Sequence, residues 1–235
     1  MQKKFNKILV ANRGEIAIRI FRACAELGIK SVGIYSKEDK YSLFRTKADE
    51  SYLIGEDKGP IDVYLDMDGI IALAKEKNVD AIHPGYGFLA ENSEFVRKCE
   101  ENGIAFIGPS ADIMDKMGDK INSKKVAHAA DVPTIPGVDK VIETVEEAKK
   151  VADYVGYPVM VKASNGGVGR GMRVVYNEKD LALEYETACS ESRKAFGKAV
   201  IFIEKYIVDP KHIEVQILGD KEGNIVHLYE RDCSV

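Results

Sequence analysis

Short apolar runs alternate with amphipathic stretches over residues 7–107. KILVA at 7–11 has the continuous apolar character of a buried strand, and apolar residues then recur at helical spacing from Ile16 until Gly28. The same patterns predict strands at 31–35, 51–54, 81–83 and 105–107, with helices at 65–77 and 94–101. Strands that alternate with helices predict an α/β fold with a doubly wound parallel sheet.

A different arrangement follows the two amphipathic helices predicted within 110–131. Pro133, Pro136 and Gly137 indicate a hinge, and a domain boundary is expected near them. Beyond it the pattern predicts helices at 145–155 and 180–196 and strands at 158–163 and 200–206. Two helices on one small sheet predict a compact α+β unit that is hinged on the rest as a lid.

The last 24 residues alternate as a two-stranded hairpin, with strands at 212–219 and 224–232 and a turn at 220–224. Ile213, Val215 and Ile217 are expected on one face. The other face is expected to carry hydrogen-bonding side chains, namely those of His212, Glu214, Gln216, Glu230 and Arg231.

A glycine-rich segment separates two apolar runs, one ending at Lys162 and one starting at Met172. Its glycines are Gly166, Gly167, Gly169 and Gly171. Without Cβ atoms, such a segment can turn sharply and direct several backbone N–H groups at one anion. A phosphate loop of the P-loop type would lead into a helix, whereas the residues here favour a strand. The segment therefore predicts a hairpin flap over a nucleotide, and the alternative is a flexible hairpin with no ligand.

Four further positions are candidates for a site. Lys120 begins the second amphipathic helix and is suited to reach a phosphate. Glu204 could accept a hydrogen bond from a nucleotide, or could form an edge-strand ion pair with Lys205. HPGYGFLAEN at 83–92 follows a strand, and this loop could hold His83 and Glu91 inward; for His83 alone a structural turn is preferred.

Composition narrows the function classes. The net charge of −4 gives no overall basic field for nucleic acid or an anionic membrane, so a phosphate site must be local. The four cysteines are spread without a C-x-x-C pair, which indicates reduced thiols instead of a disulfide framework or a zinc site. The basic N-terminus has too short an apolar run for a signal segment or a membrane span, and a cytoplasmic location is expected.

Six blocks, in this order and spacing, resemble the biotin carboxylase domain, a unit of the ATP-grasp class. They are ANRGEIA, HPGYGFLAEN, KMGDK, VKASNGGVGRGMRVV, FIEKYI and HIEVQILGD with HLYERDCSV. The resemblance covers the whole chain. Residues 47–55 with Gly59 and Pro60, and the final hairpin, look more like pyruvate carboxylases than like the biotin carboxylase subunit of acyl-CoA carboxylases.

The resemblance implies ATP-dependent carboxylation of biotin, with bicarbonate, Mg²⁺ and a biotin carried on another domain. It implies an N-terminal domain at 1–130, an ATP-grasp lid at 131–203 and the first antiparallel strands of the ATP-grasp C-terminal subdomain at 204–235. The implied ATP-binding residues are Lys120, Lys162, Gly166, Gly167, Val168, Gly169, Glu204, Lys205, Tyr206, Ile207 and His212. His83 and Glu91 are substrate-side candidates. The implied partners are a biotin carrier domain and a carboxyltransferase domain, within a homo-oligomer.

The chain also departs from the family pattern. Asn165 and Val168 replace common glycines and could stiffen the loop, and Ala90 replaces a common serine. No catalytic residue or metal ligand of the family is expected within the chain, since those lie in the later part, so the 235 residues alone are expected to be inactive. The alternatives are an acyl-CoA carboxylase subunit, a non-catalytic nucleotide-binding module and a related ATP-grasp ligase; the biotin carboxylase blocks disfavour the last.

Overall fold

The structure, a computed structural model, describes residues 5–118, 120–138, 140–163, 172–196, 199–220 and 222–234. The chain divides between Ser123 and Lys124 into two compact units. The first contains β1 Lys7–Val10, α1 Gly14–Glu26, β2 Lys30–Tyr35, β3 Glu50–Leu53, α2 Asp62–Leu65, α3 Met67–Glu76, β4 Ala81–His83, α4 Ser93–Glu101, β5 Ala105–Phe106 and α5 Ala111–Gly118. Short 3-10 helices at Glu38–Tyr41 and Leu43–Lys47 join β2 to β3. The helix α6, Lys120–Ala129, contains the division between the units.

The five strands of the first unit form one parallel sheet in the order β3-β2-β1-β4-β5. The sheet has a hydrophobic core on each of its two faces, and alternate residues of the central strand, β1, contribute to one core or the other. Leu9 packs with Ile34 and Ile82 on one face, and Val10 packs with Phe21 of α1 on the other. The doubly wound parallel sheet predicted from the alternating elements is therefore confirmed.

Strand order reverses between β1 and β4, which are neighbours in the sheet. The loops that follow these two strands both start at the carboxyl edge, on either side of this switch point. Open α/β sheets bind ligands at such a crevice. The topology thus places the Asn12 loop and the His83 loop together in the first unit.

The second unit contains α7 Val145–Val155, β6 Val159–Ala163, β7 Met172–Val175, α8 Glu178–Phe196, β8 Ile201–Lys205, β9 Ile213–Gly219 and β10 Ile225–Asp232. The strands β7, β6 and β8 form an antiparallel sheet with β6 in the centre. We call this the lid sheet. Because β6 pairs directly with β7, the strand, loop and strand order predicted around the glycines is confirmed, while residues 164–171 themselves lie outside the described residues.

One face of the lid sheet supplies the core of this unit. Val159, Val161, Val175, Ile201 and Ile203 are buried there against Ala148, Val151, Leu181, Tyr185 and Ala188 of α7 and α8. The two helices form because these apolar residues recur every three or four positions along them. Thr144 caps α7 by accepting a hydrogen bond from the Glu147 N–H at 3.1 Å.

The hairpin β9–β10 confirms the predicted strand pair but corrects one of its faces. Arg231 lies opposite Glu214, whereas Glu230 lies opposite Val215. Directly paired residues share a face, so Glu230 is on the face of Val215 and not with the polar set. The expectation that Glu230 and Arg231 share a face was wrong, because neighbouring strand residues point to opposite sides.

The cysteines are free, as the sequence indicated. Cys24, Cys99 and Cys189 are buried, and burial raises the pKa of Cys99 to about 12, so its thiol stays protonated. Cys233 is partly exposed. Within the described ranges, no helix is long and apolar enough to cross a bilayer.

A pair of leucines on α8 tests the lid core. Leu181 is fully buried, whereas Leu183, two residues along the same helix, is 67% exposed. Removing a buried leucine side chain leaves a cavity, so Leu181→Ala should lower the free energy of unfolding of this unit by about 2–5 kcal/mol. Leu183→Ala is the matched control and should change it by less than about 0.5 kcal/mol. Denaturant titration followed by circular dichroism measures both, and equal effects of the two variants would contradict the assigned core.

Candidate functional site

The second face of the lid sheet is open. The strand register places Met160, Lys162, Met172, Val174, Phe202 and Glu204 on it. Five of these side chains are half-buried and Met172 is 41% exposed, in contrast to the buried opposite face. The open face is therefore an apolar surface of the lid sheet that carries two charged groups.

Those two charged groups are in contact. The Lys162 ammonium donates a hydrogen bond to Oε1 of Glu204, and the two side chains are 23% and 20% exposed. Lys162 lies opposite Phe202 and Glu204 opposite Met160, so the pair crosses from β6 to β8 on the diagonal. An ammonium has three donors, so Lys162 can hold Glu204 and an anion at the same time.

Lys205 does not pair with Glu204. Its ammonium donates to the carbonyl oxygens of Gly156 and Tyr157 at 2.8 and 2.9 Å, on the turn between α7 and β6. The alternative of an edge-strand ion pair between Glu204 and Lys205 is therefore wrong. The two residues are neighbours on a strand, so their side chains leave opposite faces of the sheet.

A further segment of backbone covers the outer edge of β8. Lys205 N–H donates to the Pro136 carbonyl at 2.7 Å, and Ile142 N–H donates to the Ile201 carbonyl at 2.8 Å. Gly137 forms a bridge to Glu204, and a Cβ atom on Gly137 would lie 3.0 Å from the Glu204 Cβ and 3.1 Å from the Ile203 carbonyl oxygen. The proline and glycine segment predicted as a hinge thus packs directly beside Glu204.

The remaining predicted ATP-binding residues fall into three groups. Tyr206 is half-buried directly after β8, while Ile207 and His212 are exposed. Lys120 begins α6, but its side chain is outside the described part of the chain. Gly166, Gly167, Val168 and Gly169 also lie outside the described residues.

In the first unit, Asn12 joins the two loops at the switch point. It is 3% exposed, and its side-chain amide donates to the carbonyls of Pro84 and Tyr86 at 2.7 and 2.8 Å. Its side-chain oxygen accepts from Arg13 N–H at 2.8 Å. Gly85 has φ of 67°, and a Cβ there would lie 2.7 Å from the Asn12 amide nitrogen, so this close approach requires glycine.

His83 and Glu91 occupy different environments within that loop region. His83 is half-buried, its Nδ1 accepts from Gly85 N–H at 3.0 Å, and burial lowers its pKa. The ring is therefore neutral at pH 7 and carries its proton on Nε2. Glu91 was expected to be held inward, and this is wrong because its side chain is exposed. The neighbouring Asn92 caps α4 instead, because its side-chain oxygen accepts a hydrogen bond from the Phe95 N–H at 2.8 Å.

A buried carboxylate near this edge escaped the sequence analysis. Asp39, 4% exposed, accepts from Arg13 Nε at 2.7 Å and Nη2 at 2.6 Å, from Tyr64 Oη at 2.7 Å and from Ser42 Oγ at 2.8 Å. The Arg13 guanidinium is the main reason that the pKa of Asp39 is lowered to about 2, and burial raises the pKa of Tyr64. The network ties the turn after β1 to the segment after β2.

Among the residues that the structure describes, no group of three or more histidine, cysteine, aspartate or glutamate side chains is placed to bind a metal ion. The open face of the lid sheet offers one carboxylate, that of Glu204, and it is already paired with Lys162. The described residues therefore provide no metal site built from protein ligands alone.

The parallel sheet with its switch point, and the antiparallel lid sheet with its Lys162–Glu204 pair and with β6 and β7 on either side of the glycine-rich segment in the sequence, define an ATP-grasp class of nucleotide-binding protein. The N-terminal half of the chain belongs to the family of biotin carboxylase N-terminal domains, and the remainder belongs to a family of ATP-binding domains. Residues 4–114 match the family described as biotin carboxylase, N-terminal domain, and residues 119–235 match the carbamoyl-phosphate synthase L chain, ATP binding domain.

Two relatives, and a solved structure of one of them, illustrate how much of such proteins the chain spans. It is 57% identical over 234 residues to a pyruvate carboxylase of Bacillus subtilis, covering 100% of this chain and 20% of that protein. It is 54% identical to the 2-oxoglutarate carboxylase small subunit of Hydrogenobacter thermophilus, and the match covers 98% of this chain and 48% of that subunit. A crystal structure shows the biotin carboxylase domain dimer of that carboxylase in complex with MgADP, ADP and bicarbonate. Its TM-score to this chain is 0.86 at 54% identity, and the match covers 100% of this chain and 51% of the solved chain. The chain therefore spans a fifth of the pyruvate carboxylase and about half of the 2-oxoglutarate carboxylase chains.

The buried Asp39 predicts a specific pH dependence of stability. Its carboxyl group has a pKa of about 3.9 when unfolded and about 2 when folded, so its stabilisation is fully present above about pH 5. That stabilisation is lost as the pH falls through about 2. Between pH 5 and 2, the free energy of unfolding of the wild type should fall by about 2 kcal/mol more than that of Asp39→Asn.

Chemical denaturation of the chain at several pH values measures this difference. Glu38→Gln is the matched control, because Glu38 is adjacent to Asp39 and exposed. It should follow the wild-type curve. Parallel curves for the wild type and Asp39→Asn would show that Asp39 contributes no pH-dependent stability.

Proposed function

We propose that the chain forms the ATP-binding part of a biotin carboxylase unit, which uses ATP and bicarbonate to carboxylate biotin. The observation that carries the proposal is the contact of Lys162 with Glu204 on the open face of the lid sheet, beside the ends of the two strands that flank the glycine segment. The matches to the families of biotin carboxylase N-terminal domains and of ATP-binding domains support the same reaction.

The open face supplies what a nucleotide needs. Its methionine, valine and phenylalanine side chains give an apolar surface for a base, and Lys162 gives a positive charge for phosphate. Glu204 can accept a hydrogen bond from an amino or hydroxyl group. Pro136, Gly137 and Ile142 cover the outer edge of β8, and the Tyr206 N–H donates to the Pro158 carbonyl at 3.1 Å. An adenine would therefore use the Tyr206 carbonyl and the backbone of Ile207.

The other residues complete this proposed site. Lys120 would be the second lysine for the phosphates, and His212 would contact the ribose. The backbone N–H groups of Gly166, Gly167, Val168 and Gly169 would lie over the phosphates. These assignments follow the order of the family blocks along the chain.

The reaction begins when an oxygen of bicarbonate attacks the γ-phosphorus of ATP. ADP leaves and carboxyphosphate forms, which then breaks down to CO₂ and phosphate. A ureido nitrogen of biotin attacks the CO₂, and the released phosphate takes the proton of that nitrogen. Phosphoryl transfer depends mainly on positioning and on neutralising charge, and Lys162 provides both for the phosphate chain. Exclusion of water by a closed lid would protect carboxyphosphate from hydrolysis.

We further propose that His83 and the switch-point crevice of the first unit face the substrate side of the reaction. The neutral His83 ring is held by Gly85 and presents an Nε2 donor. Glu91, although exposed on this unit, remains a candidate for contact with a substrate. The proposed partners are a biotin carrier domain and a carboxyltransferase domain, which fits the greater length of the relatives. A homo-oligomer is also proposed, and the solved biotin carboxylase domain of Hydrogenobacter thermophilus is described as a dimer.

Nucleotide binding by this chain is the first test. Isothermal titration with a non-hydrolysable ATP analogue should show one site, and Lys162→Ala should weaken binding at least tenfold, which is about 1.4 kcal/mol. The variant removes the charge that faces the phosphates and leaves Glu204 half-buried without its partner. Lys179→Ala, which changes an exposed lysine of α8, is the control and should bind as the wild type does. Equal affinity of Lys162→Ala and the wild type would reject the assigned face.

The acceptor of the carboxyl group is tested on the complete protein. We propose pyruvate, because the pyruvate carboxylase of Bacillus subtilis aligns over this entire chain. Addition of pyruvate to enzyme, ATP and labelled bicarbonate should give labelled oxaloacetate. Incorporation with acetyl-CoA or 2-oxoglutarate, and none with pyruvate, would retain biotin carboxylation but assign another acceptor.

A further inference from the structure

The side of the lid sheet opposite the Lys162–Glu204 pair carries an arginine with two carboxylate partners. Arg173 lies on β7, and its Nη1 and Nη2 donate to Glu184 at 3.0 Å and to Glu191 at 2.6 Å. Both glutamates belong to α8 and are seven residues apart, so they lie two turns from one another on one side of the helix. A single guanidinium thus spans two turns of α8.

The strand that this arginine holds is the least supported of the lid sheet. The strand β7 has four residues and lies at the edge of the sheet, paired on one side with β6. Towards the helices it buries Val175, while Val174 is half-buried on the open face. Among the described residues, β7 is held by its hydrogen bonds to β6, by the burial of Val175, by the contact of the Tyr176 ring with Tyr206 and by the contacts of Arg173 with α8.

The position of β7 matters for the open face. Met172 precedes Arg173 and lies directly opposite Lys162, while Arg173 lies opposite Val161. Since neighbours on a strand face opposite sides, fixing Arg173 against α8 also fixes Met172 beside Lys162. A slip of β7 by one residue would move Met172 off the open face and bring Arg173 onto it.

We propose that Arg173 is a positioning residue for the nucleotide site. By clamping β7 to α8, it keeps the open face assembled around Lys162, and it does so without touching the nucleotide. The inference rests on the proposed function of that face in binding ATP.

The chemistry of the clamp requires an arginine. Its side chain is 31% exposed, and its two terminal nitrogens each hold a different carboxylate. Its Nε is buried and has no hydrogen-bond partner among the described residues. A guanidinium presents these donors in one rigid plane, whereas an ammonium is a point charge that would favour one carboxylate over the other. Arg173→Lys should therefore retain part of the function of the clamp, and Arg173→Gln should lose it.

The experiment combines two measurements on the chain, at a temperature at which all variants are folded by circular dichroism. Titration with the non-hydrolysable ATP analogue should show affinity reduced about tenfold in Arg173→Gln, by a smaller factor in Arg173→Lys, and unchanged in Arg193→Gln. Arg193 is an exposed arginine on α8 and serves as the matched control. Hydrogen exchange should show faster exchange of the β7 amides in Arg173→Gln, with unchanged protection between β6 and β8.

The two readouts separate the possible failures. A wild-type chain that does not bind the analogue would overturn the proposed function and this inference with it. Wild-type binding together with equal affinity in Arg173→Gln would overturn only the inference. Loss of affinity with exchange accelerated uniformly over the whole lid would also overturn it, because that pattern indicates general destabilisation. A variant that does not fold leaves the decision to Arg173→Lys, whose affinity must lie between those of the wild type and Lys162→Ala.

Discussion

The antiparallel register of β6 with its two neighbours is the constraint on which the second unit depends. Val161 and Lys162 are consecutive, as are Ile203 and Glu204, so one residue of each pair enters the core and the other reaches the open face. A slip of one residue would bury both charges against the helices and expose the apolar side chains, at a cost of several kcal/mol. The backbone hydrogen bonds that set this register therefore determine both which residues form the core and which residues form the candidate binding face.

The first unit obtains its site by a different route. The order of the parallel strands brings the loops after β1 and β4 to one edge, but the order alone does not shape them. Asn12 fixes their conformation, because its side-chain amide donates hydrogen bonds to the carbonyl groups of Pro84 and Tyr86 in the loop after β4. An aspartate at this position would offer acceptors where donors are needed, so the loop geometry depends on this particular side chain.

The sequence predicted the elements well because their signals are local. The period of two in the strands, the period near 3.6 in the helices and the glycine cluster between two strands are each visible within a window of about 20 residues. The partners of individual charges were predicted less well. Lys205 was considered as a partner of Glu204 because the two are adjacent, although strand neighbours cannot share a face. The true partner, Lys162, is 42 residues away and is found only through the register.

Asp39 shows the same limit in the first unit. It lies in the polar stretch KEDKYS, where nothing local separates it from the exposed Glu38. Its burial results from contacts with Arg13 and Tyr64, which are 26 and 25 residues distant. The family resemblance did predict that residues far apart in the sequence meet at a nucleotide site. It made no prediction about the contacts of Asp39 with Arg13 and Tyr64.

The two cations of the lid sheet, Lys162 and Arg173, illustrate how residue type follows task. They lie on adjacent strands and on opposite faces, and each is paired with glutamate. On the face that packs against the helices, Arg173 must hold the carboxylates of Glu184 and Glu191 at a fixed separation. A planar guanidinium does this with little loss of side-chain conformational freedom per hydrogen bond. On the open face the cation must share its partner with a ligand, and a flexible ammonium with three donors can do so. Exchange of the two residue types would therefore preserve the charge of the sheet while impairing both faces.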